Sequence, residues 1–183
     1  MQDEQSLVRR AQAQDRDAFA ELYEAYFDKI YRYIVLKIGD RTEAEDMTQQ
    51  VFLKALKSLP SYKWKDVPFS AWLYRIAHNQ VVDHFRKTSR QQSIELTDAI
   101  TPDDPHENPQ HQTELKADIV HLVKATRQLT KAQQEVIALR FSSDLPVAEV
   151  ARLMGKSEGA VKALQHSAVV ALRKIMLVSE DYD

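Results

Sequence analysis

The sequence predicts an all-α protein: two small helical domains joined by an acidic flexible linker. Three observations carry this. Only three glycines occur among 183 residues, and four of the six prolines fall between Pro68 and Pro109, so long helices are expected on either side of that stretch. Apolar residues recur at intervals of three and four outside it. Near the C-terminal end, two such patterns meet across a single glycine, Gly155. The expected division is a first domain over residues 1–90, a linker over 91–113, a second domain over 114–178 and a short tail over 179–183.

In chain order, Ser6 to Ala13 reads as a short helix, followed by a longer one that Asp15 or Asp17 can cap. Phe19, Leu22, Tyr23, Tyr26, Ile30, Tyr33 and Ile34 mark its buried face, and Gly39 closes it. Rings at this spacing are core rather than a stacking surface for bases. Thr42 with Glu45 three residues later predicts a capping box for the next helix, which runs to about Leu59. Met47, Val51, Ala55 and Leu59 form its apolar stripe, with Leu56 beside it. Phe52 lies off that stripe, next to the polar face of Asp46, Gln49 and Gln50.

Pro60 ends this helix, and the loop Ser61 to Val67 sets Trp64 between Lys63 and Lys65. A ring flanked by positive charge suits single-stranded nucleic acid, because a base stacks on the ring while phosphates meet the ammonium groups. The run after Pro68 is helical, with Trp72, Leu73, Ile76 and Val82 or Phe85 expected inward. Arg75, His78, Asn79, Arg86 and Lys87 are expected outward.

From Glu114 the helical pattern resumes, first to Thr126 and then from about Lys131 to Phe141. Val147, Val150, Ala151 and Met154 follow as one stripe of a short helix that Gly155 ends, glycine taking the left-handed corner without a Cβ clash. Ser157 can cap the last helix, in which Val161, Leu164, Ala168, Leu172 and Ile175 share a face. This is the spacing of a helix-turn-helix, or of a plain helical hairpin. The opposite face leaves Ser157, Glu158, Lys162, Gln165 and His166 free to meet base edges.

Composition narrows the function classes. With 44% hydrophobic and 28% charged residues the chain is globular rather than disordered. The sequence has no cysteine, hence no thiolate nucleophile and no disulfide framework. No glycine-rich phosphate loop or nucleophile–base pair at a known spacing occurs, so an enzyme is not expected. The six histidines match no zinc spacing, so no metal and no cofactor are assigned. The polar N-terminus and the lack of a long apolar run predict no membrane insertion and a cytoplasmic location.

The formal net charge is −2, but it is unevenly spread. Residues 1–90 hold 15 basic and 13 acidic side chains, residues 91–113 five acidic and no basic ones, and residues 114–183 ten and nine. Proline and acid without base predict an extended tether in the middle.

The stretch Glu43-Ala44-Glu45-Asp46-Met47-Thr48-Gln49-Gln50-Val51-Phe52-Leu53-Lys54-Ala55, followed by Phe69-Ser70-Ala71-Trp72-Leu73-Tyr74-Arg75-Ile76-Ala77-His78-Asn79, resembles region 2 of bacterial RNA polymerase sigma factors. Residues 127–176, with Leu129, Gln133 to Phe141 and the helix-turn-helix, resemble region 4. The two-region layout is similar to the extracytoplasmic-function (ECF) group of the sigma-70 family.

The resemblance implies that the chain binds core RNA polymerase through Asp46, Gln49, Gln50 and Phe52 and directs it to promoter DNA. It further implies that Lys63, Trp64 and Lys65 hold a flipped base of the minus-ten element while Asn79 separates the strands. Ser157, Glu158, Lys162, Gln165 and His166 would read the minus-thirty-five element as duplex. Ala160, Leu164, Gln165, Ser167 and Val169 depart from the family's frequent Thr, Arg, Leu, Arg and Arg, which implies weak duplex binding by the second domain alone. An anti-sigma protein is a further partner the resemblance allows. The competing class is a stand-alone helix-turn-helix regulator, which would bind promoter duplex without polymerase.

Overall fold

The structure is a computed structural model that describes residues 4–64, 67–95, 114–143 and 145–180. Among these residues there are eight α-helices and no strand. The first half holds α1 (Glu4–Gln12), α2 (Arg16–Ile38), α3 (Arg41–Ser58) and α4 (Phe69–Glu95). The second holds α5 (Glu114–Arg127), α6 (Lys131–Ser142), α7 (Val147–Met154) and α8 (Glu158–Glu180).

Local chemistry sets the helix ends. Asp15 caps α2 by accepting from the backbone N–H of Asp17 at 3.0 Å and of Ala18 at 3.1 Å, and these bonds hold its carboxyl below the usual carboxylate range. Gly39 ends α2 at φ 80° and Gly155 ends α7 at φ 62°, both in the left-handed region that a Cβ disfavours. The expected Thr42–Glu45 capping box is not what starts α3. The helix begins earlier, at Arg41, because Asp40 accepts from the Glu43 N–H at 2.7 Å; a carboxylate one residue after the glycine reaches the free amides first. A capping box does form at α6, between Thr130 and Gln133.

In the first half α2 is the central post, packed by α1, α3 and α4. Leu22, Ile30, Tyr33 and Ile34 are buried along it. The α1 end is pinned by Gln12, whose amide donates to the carbonyls of Leu59 at 3.0 Å and Tyr62 at 2.6 Å. That bond anchors the loop after α3, and the Tyr62 hydroxyl closes the loop by donating to the Val67 carbonyl at 2.8 Å. Tyr62, Trp64, Phe69 and Trp72 form one ring cluster, with Trp72 4.8 Å and Trp64 6.2 Å from Tyr62.

Two apolar side chains depart from the sequence reading on α4. Val82 and Phe85, expected inward, are exposed, whereas Tyr74, Ala77 and Val81 are buried. The inward face of the helix therefore lies one residue from the expected stripe. The helix also runs to Glu95, five residues into the stretch read as linker. Residues 96–113, the rest of that linker, lie outside the described residues, as does Lys65.

Phe52 is a correction of more consequence. It is 4% exposed, with its ring 4.7 Å from Tyr23 and 6.3 Å from Phe27. The aromatic face of α2 supplies the partners that the α3 stripe alone did not reveal. Leu53 and Leu56 stand exposed instead, at 57% and 46%.

In the second half α7 and α8 form the helix-turn-helix, and both pack on α6. Val150, Ala151, Val161, Ala168 and Leu172 are buried between them. Ser157 caps α8, its hydroxyl accepting from the Ala160 N–H at 3.2 Å. The two halves touch: α6 lies along α2, α5 also reaches α2, and α7 meets α4.

Replacing Phe52 by alanine should lower unfolding stability by about 3–5 kcal/mol, the usual cost of emptying a ring's place in a core. Leu53→Ala should stay within about 0.5 kcal/mol of the parent. Urea unfolding of both variants checks this, and equal midpoints would return Phe52 to the surface.

Candidate polymerase and nucleic-acid interfaces

On α3, the side chains of Asp46, Gln49 and Gln50 are all exposed. They crown a ridge with a groove on each side. Asp46 and Gln50 border a polar groove shared with α4, lined also by Glu43, Gln80, Asp83 and His84. Gln49 borders an apolar groove toward α2, lined by Phe19, Tyr23, Phe52, Leu53 and Leu56. Polar groups flanking exposed leucines form a surface suited to another protein. Phe52 belongs to it only as the floor of the second groove. Sequence reading assigned Leu53 no role and set Leu56 beside the apolar stripe; the position of α2 shows that both stand exposed along this groove.

The loop residue Lys63 is exposed, and Trp64 is half-buried with its ring edge-on to Tyr62. One part of the indole is thus fixed in the cluster and the other is left open. Asn79 is exposed on α4 together with Arg75, Val82 and Arg86. These four follow one another at intervals of four, three and four, a continuous outward stripe.

On α8, Ser157, Glu158, Lys162 and His166 are exposed. The last three are spaced by four, so they form one edge. Gln165 is drawn aside. Its side-chain oxygen accepts from Arg140 Nε at 3.0 Å, and Arg140 also donates to the Leu145 carbonyl at 2.7 Å. This half-buried glutamine is therefore oriented toward α6. The residue-by-residue periodicity of α8 did not show this, because Arg140 lies a whole helix away in sequence.

The most heavily built polar site joins the two halves. Glu135 on α6 brings its carboxylate among three side chains of the first half. Lys37 pairs with one oxygen, and Tyr33 donates to the other at 3.0 Å. His78 Nδ1 lies 3.1 Å from that same oxygen. Beside them the Tyr74 hydroxyl donates to the Ser142 carbonyl at 2.5 Å, and the Arg127 guanidinium lies so close over Gly39 that a Cβ there would meet it at 1.9 Å. Burial alone raises the Glu135 pKa, but the His78 hydrogen bond and the Lys37 charge outweigh it and hold the carboxyl at about 2. Burial also pushes Tyr33 well above its ordinary value, with Glu135 adding to the effect. Sequence reading placed His78 outward and gave Lys37 and Glu135 no role, since nothing local pairs residues so far apart in the chain.

Among the described residues, no group of three or more His, Asp or Glu side chains is placed to hold a metal ion. No helix there is long and apolar enough to cross a membrane.

Residues 22–91 match sigma-70 region 2 and residues 126–174 match sigma-70 region 4, the first span covering the post, the ridge and α4, the second the helix-turn-helix with its support. The chain belongs to the sigma-70 family. Two of its relatives are named as ECF factors. It is 39% identical to the ECF RNA polymerase sigma factor BldN of Streptomyces coelicolor over 93% of this chain and 64% of that one. It is 30% identical to the ECF factor SigD of Mycobacterium tuberculosis, over 97% of this chain and 85% of that one. The chain thus spans slightly less than two thirds of the length of the first of these relatives. Among solved structures, the fold is similar to that of the sigma factor RpoE in complex with the anti-sigma factor NepR from Bartonella quintana. The TM-score is 0.70 at 21% identity, over 87% of this chain and 97% of that one. The stripe of Arg75 and Asn79 and the edge of Lys162 and His166 therefore sit within sigma regions 2 and 4 respectively.

A carboxyl with its pKa at about 2 in the closed arrangement, against an ordinary 4.5, favours closure by about 3 kcal/mol when ionised. Because the closed value is the lower one, this contribution is complete above pH 4.5 and fades as pH falls toward 2. Small-angle scattering should show wild type expanding over that window, with Glu135→Gln already expanded at pH 7. Identical radii of gyration for the two at every pH would show that the carboxylate does not hold the halves together.

Proposed function

We propose that this chain is a sigma factor that joins core RNA polymerase through the α3 ridge and carries it to specific promoters. The observation that carries the reading is the ridge itself: Asp46, Gln49 and Gln50 exposed beside Leu53 and Leu56, in the part of the chain that matches region 2. A stand-alone regulator would have no use for it. The work is recognition and not catalysis, and it is done in the cytoplasm where polymerase and DNA are found.

In this reading Lys63, Trp64 and Asn79, with Lys65, hold and open the minus-ten element. The half-open indole of Trp64 offers one stacking face and the lysines offer charge. Ser157, Glu158, Lys162 and His166 enter the major groove at minus thirty-five, with Lys162 and His166 nearest the bases. Gln165 helps through its remaining amide group, its oxygen being held by Arg140.

Geometry adds a requirement. The two elements are about 25 base pairs apart by name, about 85 Å of duplex, and a pair of domains packed through α2 and α6 cannot touch both. The chain works opened. The closed arrangement is its resting form, and an anti-sigma protein such as the one bound to RpoE is a natural agent for keeping it so.

Run-off transcription with core polymerase and a promoter library tests the reading. Transcripts should appear only when the chain is added. Joint replacement of Asp46, Gln49 and Gln50 by alanine should reduce co-purification with core polymerase about tenfold or more and leave helicity unchanged. Tight binding of promoter duplex by the chain alone, with no gain from core polymerase, would overturn the reading in favour of a stand-alone regulator.

A further inference from the structure

The groups around Glu135 form an anion cradle whose parts belong to region 2 alone. Lys37 and Tyr33 lie one turn apart on α2, and His78 faces them from α4. Tyr33 is fully buried, and its hydroxyl oxygen lies 3.1 Å from His78 Nδ1 as well as 3.0 Å from the carboxylate. The cradle is therefore fixed by packing within one half, while the anion in it comes from the other.

Its chemistry is that of a phosphate site. An ammonium meets one oxygen, and a hydroxyl and an imidazole meet the other. A backbone phosphate presents the same pair of charged acceptor oxygens as a carboxylate. The place is also right. Arg75 lies three residues before His78 and four before Asn79 on α4, so it is the surface neighbour of both, and the cradle borders the exposed stripe that faces DNA in the proposed function.

Opening removes Glu135 and leaves this cluster of donors without its anion, ready to take another set of charged acceptor oxygens. With Glu135 in place Lys37 is 11% exposed and His78 23%, and α6 packs on the helix that carries Lys37, so opening uncovers these donors for another anion.

We propose that Lys37, Tyr33 and His78 form a binding site for a backbone phosphate of promoter DNA, and that Glu135 occupies this site as a phosphate mimic when the two domains are closed. The inference rests on the sigma-factor reading and adds to it a contact that no resemblance assigned. Closing the domains and engaging the promoter compete for the same three donors.

Holoenzyme reconstituted from core polymerase and the full chain is titrated with a labelled, partly opened promoter fragment between 50 and 200 mM salt. Each phosphate contact contributes about one unit to the slope of log affinity against log salt. Lys37→Gln should flatten that slope by about one unit, equivalent to about a fourfold smaller loss of affinity across the range. Lys37→Arg should restore it. Glu135→Gln should leave it as in wild type, since Glu135 is absent from the open complex. Co-purification with core polymerase confirms that each variant is folded. A Lys37→Gln slope equal to wild type would overturn the proposal, as would an equal flattening by Glu135→Gln, which would trace the effect to closure. Failure of the sigma reading itself would look different: wild type would then give no promoter complex that depends on core polymerase.

Discussion

One carboxylate gathers the polar contacts between the two halves of this molecule. Glu135 satisfies Lys37, Tyr33 and His78 at once, and the main-chain carbonyl of Ser142 does the same for Tyr74. These bonds are directional and their donors are largely covered, so they favour one register between the halves. Water or another anion can replace each bond group by group, so separation exposes functional groups that have other uses.

The surfaces assigned to polymerase and DNA are distributed around that joint in a consistent way. The α3 ridge and the α8 edge remain exposed in the closed form, whereas part of α4 is covered beside His78. In the proposed function the ridge, the α8 edge and the Asn79 stripe of α4 therefore all have open surfaces in the closed form, and what closure covers is the side of α4 that carries His78. The aromatic floor under the ridge, Tyr23, Phe27 and Phe52, sets the height at which Leu53 and Leu56 stand.

Much of this was legible in the sequence where the cause is local. Glycine at a left-handed corner, serine at an N-cap and apolar residues at helical spacing placed Gly39, Gly155, Ser157 and the buried face of α8. Local reasoning failed where two causes compete over a few residues: Asp40 reached the free amides of α3 before Thr42 could, and the inward face of α4 fell one residue from the expected stripe. It failed more deeply where the cause is remote. Phe52 is core because α2 brings two rings to it, Gln165 turns because Arg140 draws it, and His78 is covered because Glu135 arrives from another domain. Periodicity describes a helix by itself, and each of these side chains answers to a second helix.

The ring cluster at the start of α4 has an optical consequence. Both tryptophans of the chain, Trp64 and Trp72, sit in it around Tyr62, so the intrinsic indole emission comes wholly from the N-terminal half. Melting of α5 to α8 is dark in that signal and visible only in helicity. The chain therefore carries a natural reporter for the loop around Trp64, and a denaturation curve read from it describes one domain rather than the protein.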